Sequence, residues 1–275
     1  MNDTRTELRL HDTQQAFDSV APDYDGPRGN NAAIQDMRAE MWGWLDRSFA
    51  PRSRLLDLGC GTGLDAVHLA GLGHRVTASD WSPAMVERTR DRAQQAGLGE
   101  QVEALAIGAH ELARIEGETR FDGIYSNLGP LNCVPDLAEL SAQCARLLSP
   151  GGVMVFTVIG RYCPWEFMHY VARGRWQRAG IRFARGTVPV GMNGKTIWTR
   201  YYTPAEFTRP FAEQFDVEHV RGLCVFVPPP YLLGLRDRHP TWYERLWRLD
   251  RRVAGWPGIR QLGDHFLVVL RKRAS

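Results

Sequence analysis

Residues Arg54–Gly63 read RLLDLGCGTG. Leu55, Leu56 and Leu58 form a run apolar enough to be buried on both faces, as in a central parallel strand. Asp57 interrupts the run just before a turn in which Gly59, Gly61 and Gly63 fall at every second position. Glycines there let the backbone bend sharply and approach a ligand with no Cβ in between. A helix is expected next, because Leu64, Val67, His68 and Leu69-Ala70 recur at helical spacing. A ligand resting on such a turn meets free backbone N–H groups at a helix N-terminus.

Two ligand classes use a turn of this kind. In the dinucleotide fingerprint G-x-G-x-x-G the third glycine lies five residues after the first. Here that position is Leu64, which argues against a nicotinamide dehydrogenase. The pattern is instead D-x-G-x-G-x-G, from Asp57 to Gly63, and it resembles the first motif of the class I S-adenosylmethionine (SAM)-dependent methyltransferases. SAM carries an amino acid end rather than a pyrophosphate. The resemblance therefore assigns Asp57 to its ammonium, directly or through water, and Gly59, Cys60, Gly61 and Gly63 to its cradle.

Segments on either side extend the resemblance. His74–Asp80 (HRVTASD) is a second strand ending in an acid, and Asp80 lies 19 residues after Gly61. That is close to the spacing of a ribose-binding acid in a doubly wound fold. Ser82-Pro83 starts a helix, with Ser as N-cap and Pro at the first helical position. The stretch D-W-S-P-x-M resembles the family's second motif, which places Trp81 and Met85 against adenine. Gln101–Ile107 is the third strand. The family often follows it with G-D-A, but here Gly108-Ala109-His110 stands instead. The acid is missing, so the Ala109 backbone and His110 are the candidates, and a solvent-facing His110 is the alternative. After the fourth strand, Phe121–Ser126, comes N-L-G-P-L-N. It resembles the family loop beside the sulfonium and brings in Asn127 and Leu128. It is not N-P-P-Y, the loop with which DNA amino-methylating enzymes grip a flipped base.

The fifth strand is Val153–Ile159, after a helix stopped at Ser149-Pro150-Gly151-Gly152. Five alternations of strand and helix predict a parallel sheet with helices on both faces. The expected fold is thus α/β, a seven-stranded doubly wound (Rossmann-like) sheet. By the resemblance, its last strand, Asp264–Arg271, is antiparallel between the fifth and the sixth, Phe215–Val227. Ligands of such sheets bind at the carboxyl ends of strands. Gly59–Gly63, Asp80, Ala109 and Asn127 all fall there.

The chain divides into four stretches. Residues 1–49 hold a loose polar arm (1–15) and lid helices, where A-x-x-Y-D (Ala21–Asp25) resembles a segment that covers SAM. Tyr24 faces the cofactor on that reading and only packs on the other. Residues 50–160 are the SAM-binding core. Residues 161–202, rich in Trp and Tyr, are a cap inserted after strand five, with a hairpin around Met192-Asn193-Gly194. Residues 203–275 complete the sheet, with a basic helical insertion at about 231–263. In that insertion Trp242, Leu246, Leu249 and Val253 form an apolar stripe beside Arg245, Arg248, Arg251 and Arg252. A surface helix is the ordinary reading of such a stripe, and peripheral membrane contact is the lesser one.

The 275 residues are 44% hydrophobic and 24% charged, with a formal net charge of +3. So mild a balance argues against a nucleic-acid partner. Lys195 and Lys272 are the only lysines, and the five cysteines are widely spaced with no C-x-x-C pair. Reduced thiols in the cytoplasm are expected, with no metal site. No signal peptide or membrane span is expected. The reading is a SAM-dependent methyltransferase of small-molecule type, in specialised metabolism, that releases S-adenosylhomocysteine (SAH). It would act as a monomer or homodimer on an O, N or C atom of an apolar or aromatic metabolite. His169, Tyr162 and Glu166 are the candidates for a catalytic base. The rivals are an RNA methyltransferase and a SAM-binding regulatory protein without catalysis.

Overall fold

The computed structural model describes residues 2–27, 29–115, 120–232 and 235–273. In chain order the elements are α1 (Asn2–Val20), α2 (Ala32–Ser48), β1 (Arg54–Leu58), α3 (Leu64–Gly71), β2 (Arg75–Ser79), α4 (Pro83–Gln95) and β3 (Val102–Leu105). Then come β4 (Phe121–Ser126), α5 (Leu137–Leu147), β5 (Leu148–Ile159), α6 (Pro164–Val171), α7 (Trp176–Ala179), β6 (Val188–Met192) and β7 (Lys195–Thr199). The chain closes with α8 (Pro204–Thr208), β8 (Phe215–Leu223), α9 (Leu235–Arg238), α10 (Pro240–Val253) and β9 (His265–Lys272).

Seven strands form one sheet in the order β3-β2-β1-β4-β5-β9-β8. β9 runs antiparallel to both its neighbours and the other pairings are parallel, so the expected doubly wound plan is met. Because side chains alternate across a strand, neighbouring leucines of β1 enter different cores. Leu55, Val153 and Val155 pack under α2 and α3, with Met41, Leu45 and Leu69. Leu56, Met154 and Phe156 pack under α5 and α8, with Leu140, Cys144 and Phe207. Strands β6 and β7 form a separate hairpin, closed by Asn193 and Gly194, both with positive φ. That is the left-handed pair a two-residue hairpin turn requires.

Three expectations are corrected. Residues 2–15 are not a loose arm but most of α1. The helix is polar, yet Thr13 and Ala16 are buried, and its partners lie far off in sequence. Thr13 Oγ1 accepts from the Trp198 amide at 3.1 Å, Asp12 accepts from the Trp198 indole at 2.9 Å, and Arg9 lies over the Trp198 ring.

The sixth sheet strand ends at Leu223, not Val227. The amides of Val225, Phe226 and Val227 donate to the Asp250 carboxylate of α10 at 3.2, 3.0 and 3.4 Å. They therefore pair with a side chain in place of a neighbouring strand. Finally, α10 buries Tyr243, Trp247 and Asp250, while Trp242 and Leu249 of the expected stripe are exposed. The buried aromatics pack on Ala33 and Met37 of α2, with Val227. The apolar face of this basic helix is thus used within the chain. Among the described residues no helix is long and apolar enough to cross a membrane.

Candidate active site

The glycine turn hangs from the end of β2. The amides of Gly59 and Cys60 both donate to the Ser79 carbonyl, at 2.8 and 2.9 Å. Gly59 has φ +77°, and a Cβ there would lie 2.3 Å from Pro130. The glycine is required both for the bend and for the close approach of the loop after β4. Gly63 has φ +80° and packs against Thr89, so it shapes the turn from behind.

In front of the turn opens a cavity of about 310 Å³. It brings together Tyr24, Gly59, Cys60, Gly61, Asp80, Trp81, Met85, Ala109, His110, Asn127 and Leu128, which come from five separate segments. Of the sequence-derived cofactor set, Asp57 and Gly63 do not line it. Asp57 is buried behind the turn with its Oδ2 lacking any hydrogen-bond partner. Burial, reinforced by Asp65, pushes its carboxyl well above the ordinary range.

Asp80 accepts from the Gly61 amide at 2.9 Å and from the Ser82 amide at 2.8 Å. Burial outweighs those two donors and lifts its carboxyl to about 6. Each oxygen keeps a further lone pair for a ligand donor. Ser82 caps α4, its Oγ accepting from the Met85 amide at 3.2 Å, which fixes Met85 one turn along the wall. Trp81 meets His110 edge-on at 4.6 Å between ring centroids, so His110 belongs to the wall rather than to open solvent. Burial lowers the His110 imidazole pKa. The roof is α1: Trp81 donates its indole N–H to the Leu10 carbonyl at 3.2 Å, and Gln14 donates to the Trp81 carbonyl at 2.8 Å.

The loop after β4 is locked from below. Asn127 donates to Asp65 at 3.1 Å and accepts from Thr157 at 2.9 Å, and the Leu128 amide donates to Thr157 Oγ1 at 2.6 Å. Leu128 itself is left-handed, φ +62°. For a leucine this is a strained conformation, of order 1–3 kcal/mol, of the kind that concentrates at functional sites.

One lining residue has no signal in the local motifs. Arg38 of α2 reaches the cavity and pairs with Asp65 at 2.6 Å, with its Nε left without a partner. Only its helical register marks it: Arg38 follows the buried Met37 on α2.

A second cavity, of about 490 Å³, adjoins the first, and the two share Tyr24, Leu128, Ile159, Val190 and Tyr201. Its walls include Ile34, Met37, Tyr170, Ile181 and Tyr231, together with Glu166, Arg182, Asp264 and His265. Of the three candidate bases only Glu166 lines it. Glu166 accepts from Arg182 at 2.7 Å and also from the Tyr231 hydroxyl. His169 lies outside both cavities, its ring nitrogen 2.9 Å from Arg173. Tyr162 is 37% exposed and packs beside Phe183, also outside them. Their helical and loop positions turn these two side chains toward the outer surface of the cap. Cys60 and Cys133 line the first cavity, but burial raises both thiols, Cys133 to about 11. Neither is a nucleophile at neutral pH.

Comparison with known proteins adds three findings. The family described as "Methyltransferase domain" matches residues 55–152. A ubiquinone biosynthesis O-methyltransferase of Alkalilimnicola ehrlichii is 30% identical over 220 residues, 77% of this chain and 81% of that protein. One of Methylocella silvestris is 32% identical over 169 residues, 60% of this chain and 59% of that protein. Among solved structures, a Burkholderia thailandensis 1,6-didemethyltoxoflavin-N1-methyltransferase with bound 1,6-didemethyltoxoflavin and SAH superposes with a TM-score of 0.57 at 21% identity. That superposition covers 98% of this chain and 90% of that one, and it speaks to fold alone.

Proposed function

The chain belongs to the class I S-adenosylmethionine-dependent methyltransferases, and on that premise we propose that the smaller cavity receives the donor and the larger one the acceptor. The protein is an enzyme that methylates a small metabolite with SAM. SAM, when bound, supplies a methyl group on a sulfonium and leaves as SAH. Everything else asked of the site is alignment and exclusion of water.

The observation that carries this reading is the shared wall. Tyr24, Leu128, Ile159, Val190 and Tyr201 face both cavities, so two guests would meet there without crossing solvent. The residues of the smaller cavity fit the donor end to end. Asp80 has lone pairs to accept from the two ribose hydroxyls. Trp81 and Met85 offer flat, polarizable surface to the base, with His110 and the Ala109 backbone at its edge. At the other end Arg38, which lines the cavity and has an unpartnered Nε, suits the donor's carboxylate, whereas Asp57 stands buried behind the turn and does not reach it. Gly59, Cys60, Gly61 and Gly63 supply the turn between, and Tyr24, Asn127 and Leu128 border the transfer point.

The acceptor we assign to this enzyme is apolar or aromatic, given the aliphatic and tyrosine walls of the larger cavity. The first relative's name extends that to methylation on oxygen. Five free cysteines, four of them buried, suit a reducing cytoplasm. Calorimetry with SAH tests the donor site. Removing the carboxylate in Asp80→Ala deletes hydrogen bonds to a charged group, about 1.5–3 kcal/mol, so affinity should drop at least tenfold. Unchanged affinity overturns the assignment of Asp80.

A further inference from the structure

The larger cavity contains a buried group of ions that donor binding does not use. Arg182 donates to Glu166 at 2.7 Å, to Asp264 Oδ1 at 2.6 Å and to the carbonyls of Gly160 and Asp264 at 2.9 and 3.1 Å. The other Asp264 oxygen, Oδ2, lies 2.9 Å from His265 Nδ1. Asp264 is 1% exposed. Burial alone would raise its carboxyl, but Arg182 and His265 hold it far below the ordinary carboxylate range, so it stays ionised. An ionised carboxylate at that distance requires the proton on Nδ1. This leaves Nε2 as the ring nitrogen that can take up or give a proton. Among the described residues no hydrogen bond engages Nε2, and His265 lines the cavity.

The sheet sets where this ring stands. His265 opens β9 directly opposite Ile159, the last residue of β5. Ile159 faces both cavities. β5 pairs in turn with β4, whose following loop carries Leu128 at the shared wall. Adjacent strands lie about 4.8 Å apart, so the backbone of His265 is two strand spacings, roughly 10 Å, from that loop. The imidazole covers part of that span, and the acceptor oxygen has to lie in the remainder, between Nε2 and the transfer point.

We propose that His265, oriented by Asp264, is the general base of the reaction, and that the acceptor is a hydroxylated aromatic molecule methylated on its phenolic oxygen. This rests on the two-cavity reading above. An imidazole is matched to a hydroxyl as acidic as a phenol, about 10, and not to an aliphatic alcohol. In the step itself the phenol O–H bond breaks and its proton passes to Nε2. The oxygen forms the new bond to the methyl carbon as the methyl–sulfur bond breaks, and that electron pair returns to sulfur. Arg182 contributes one positive group to the cluster, and Glu166 and Asp264 contribute two negative ones. Asp264 is a positioning residue, and Glu166 belongs to Arg182 rather than to the acceptor.

The test uses 4-nitrocatechol, whose phenolate absorbs at longer wavelength than its phenol. It is titrated into the SAH-loaded protein at a pH below its own ionisation. The wild type should bind it with the spectrum shifted toward phenolate. His265→Gln should bind SAH as tightly as wild type, by calorimetry, and lower the bound phenolate-to-phenol ratio at least tenfold. Asp264→Asn should lower that ratio as well, because Nδ1 loses its charged acceptor. A phenolate signal that persists in His265→Gln overturns the proposal. So does a wild type that binds SAH but not nitrocatechol. A wild type that does not bind SAH overturns the donor-site reading instead.

Discussion

At the Asp80 end of the smaller cavity, charge is answered by backbone; on the floor of the larger cavity, by other charges. Asp80 is held by the amides of Gly61 and Ser82, and Leu128 by a threonine hydroxyl beneath it. Glu166, Arg182 and Asp264 are held by one another, with residues 16 and 82 positions apart meeting at a single guanidinium. The first arrangement leaves lone pairs free for a guest. The second spends them largely on internal pairs, beside which the imidazole of His265 lines the cavity. A donor site built from strand tips survives the loss of one acid as a fold, while an acceptor floor built from mutually dependent ions does not.

The sharpest way to break this contrast is Arg182→Met. It strands two buried carboxylates and should cost roughly 3–5 kcal/mol in denaturant unfolding. Asp80→Ala, by comparison, should leave the unfolding midpoint nearly in place. Equal stabilities for the two variants would erase the distinction.

A pH titration of SAH affinity comes next. The Asp80 carboxyl is lifted to about 6 in the free protein, and the ribose hydroxyls need it ionised. Affinity should therefore rise with pH through about 6 and level above it, being about tenfold weaker at pH 5 than at pH 8. Asp80→Asn should flatten that slope. The same linkage has the opposite sign for the free protein. A folded-state acid raised above its unfolded value lowers stability as pH climbs from the ordinary carboxylate range through 6.

The smallest effect is expected from Trp198→Phe, which keeps the ring over Arg9 and removes the 2.9 Å bond to Asp12. About 1 kcal/mol or less should be lost, read as a faster SAH off-rate with little change in melting.

What could be read from residues alone follows the same divide. The donor cavity is made of short segments whose signals are local: a glycine register, an acid closing a strand, a serine-proline helix start. Those segments therefore point to one rim from sequence alone, and of the residues they name only Asp57 and Gly63 stand off it. The acceptor floor is made by tertiary assembly. In D-H-F-L-V-V-L-R the apolar run marks a strand, but nothing in it says that an arginine 82 positions earlier would fix the acid. His169 and Tyr162 drew attention by residue type, and their exposure depends on how the cap folds over. α1 carries no helical signal in its polar composition, and its order comes from the hairpin and Trp81. On α10 the buried stripe is one residue out of step with the expected one, because Asp250 is turned inward to serve three loop amides.

α1 deserves a mechanical reading. On one flank it is tied to Trp81 and on the other to the β6–β7 hairpin. The hairpin gives Val190 to both cavities. Lifting this helix from the nucleoside side pulls on the wall that encloses the other guest. A substitution in that surface hairpin should therefore register as a change in SAH off-rate, although the hairpin stands away from the glycine turn.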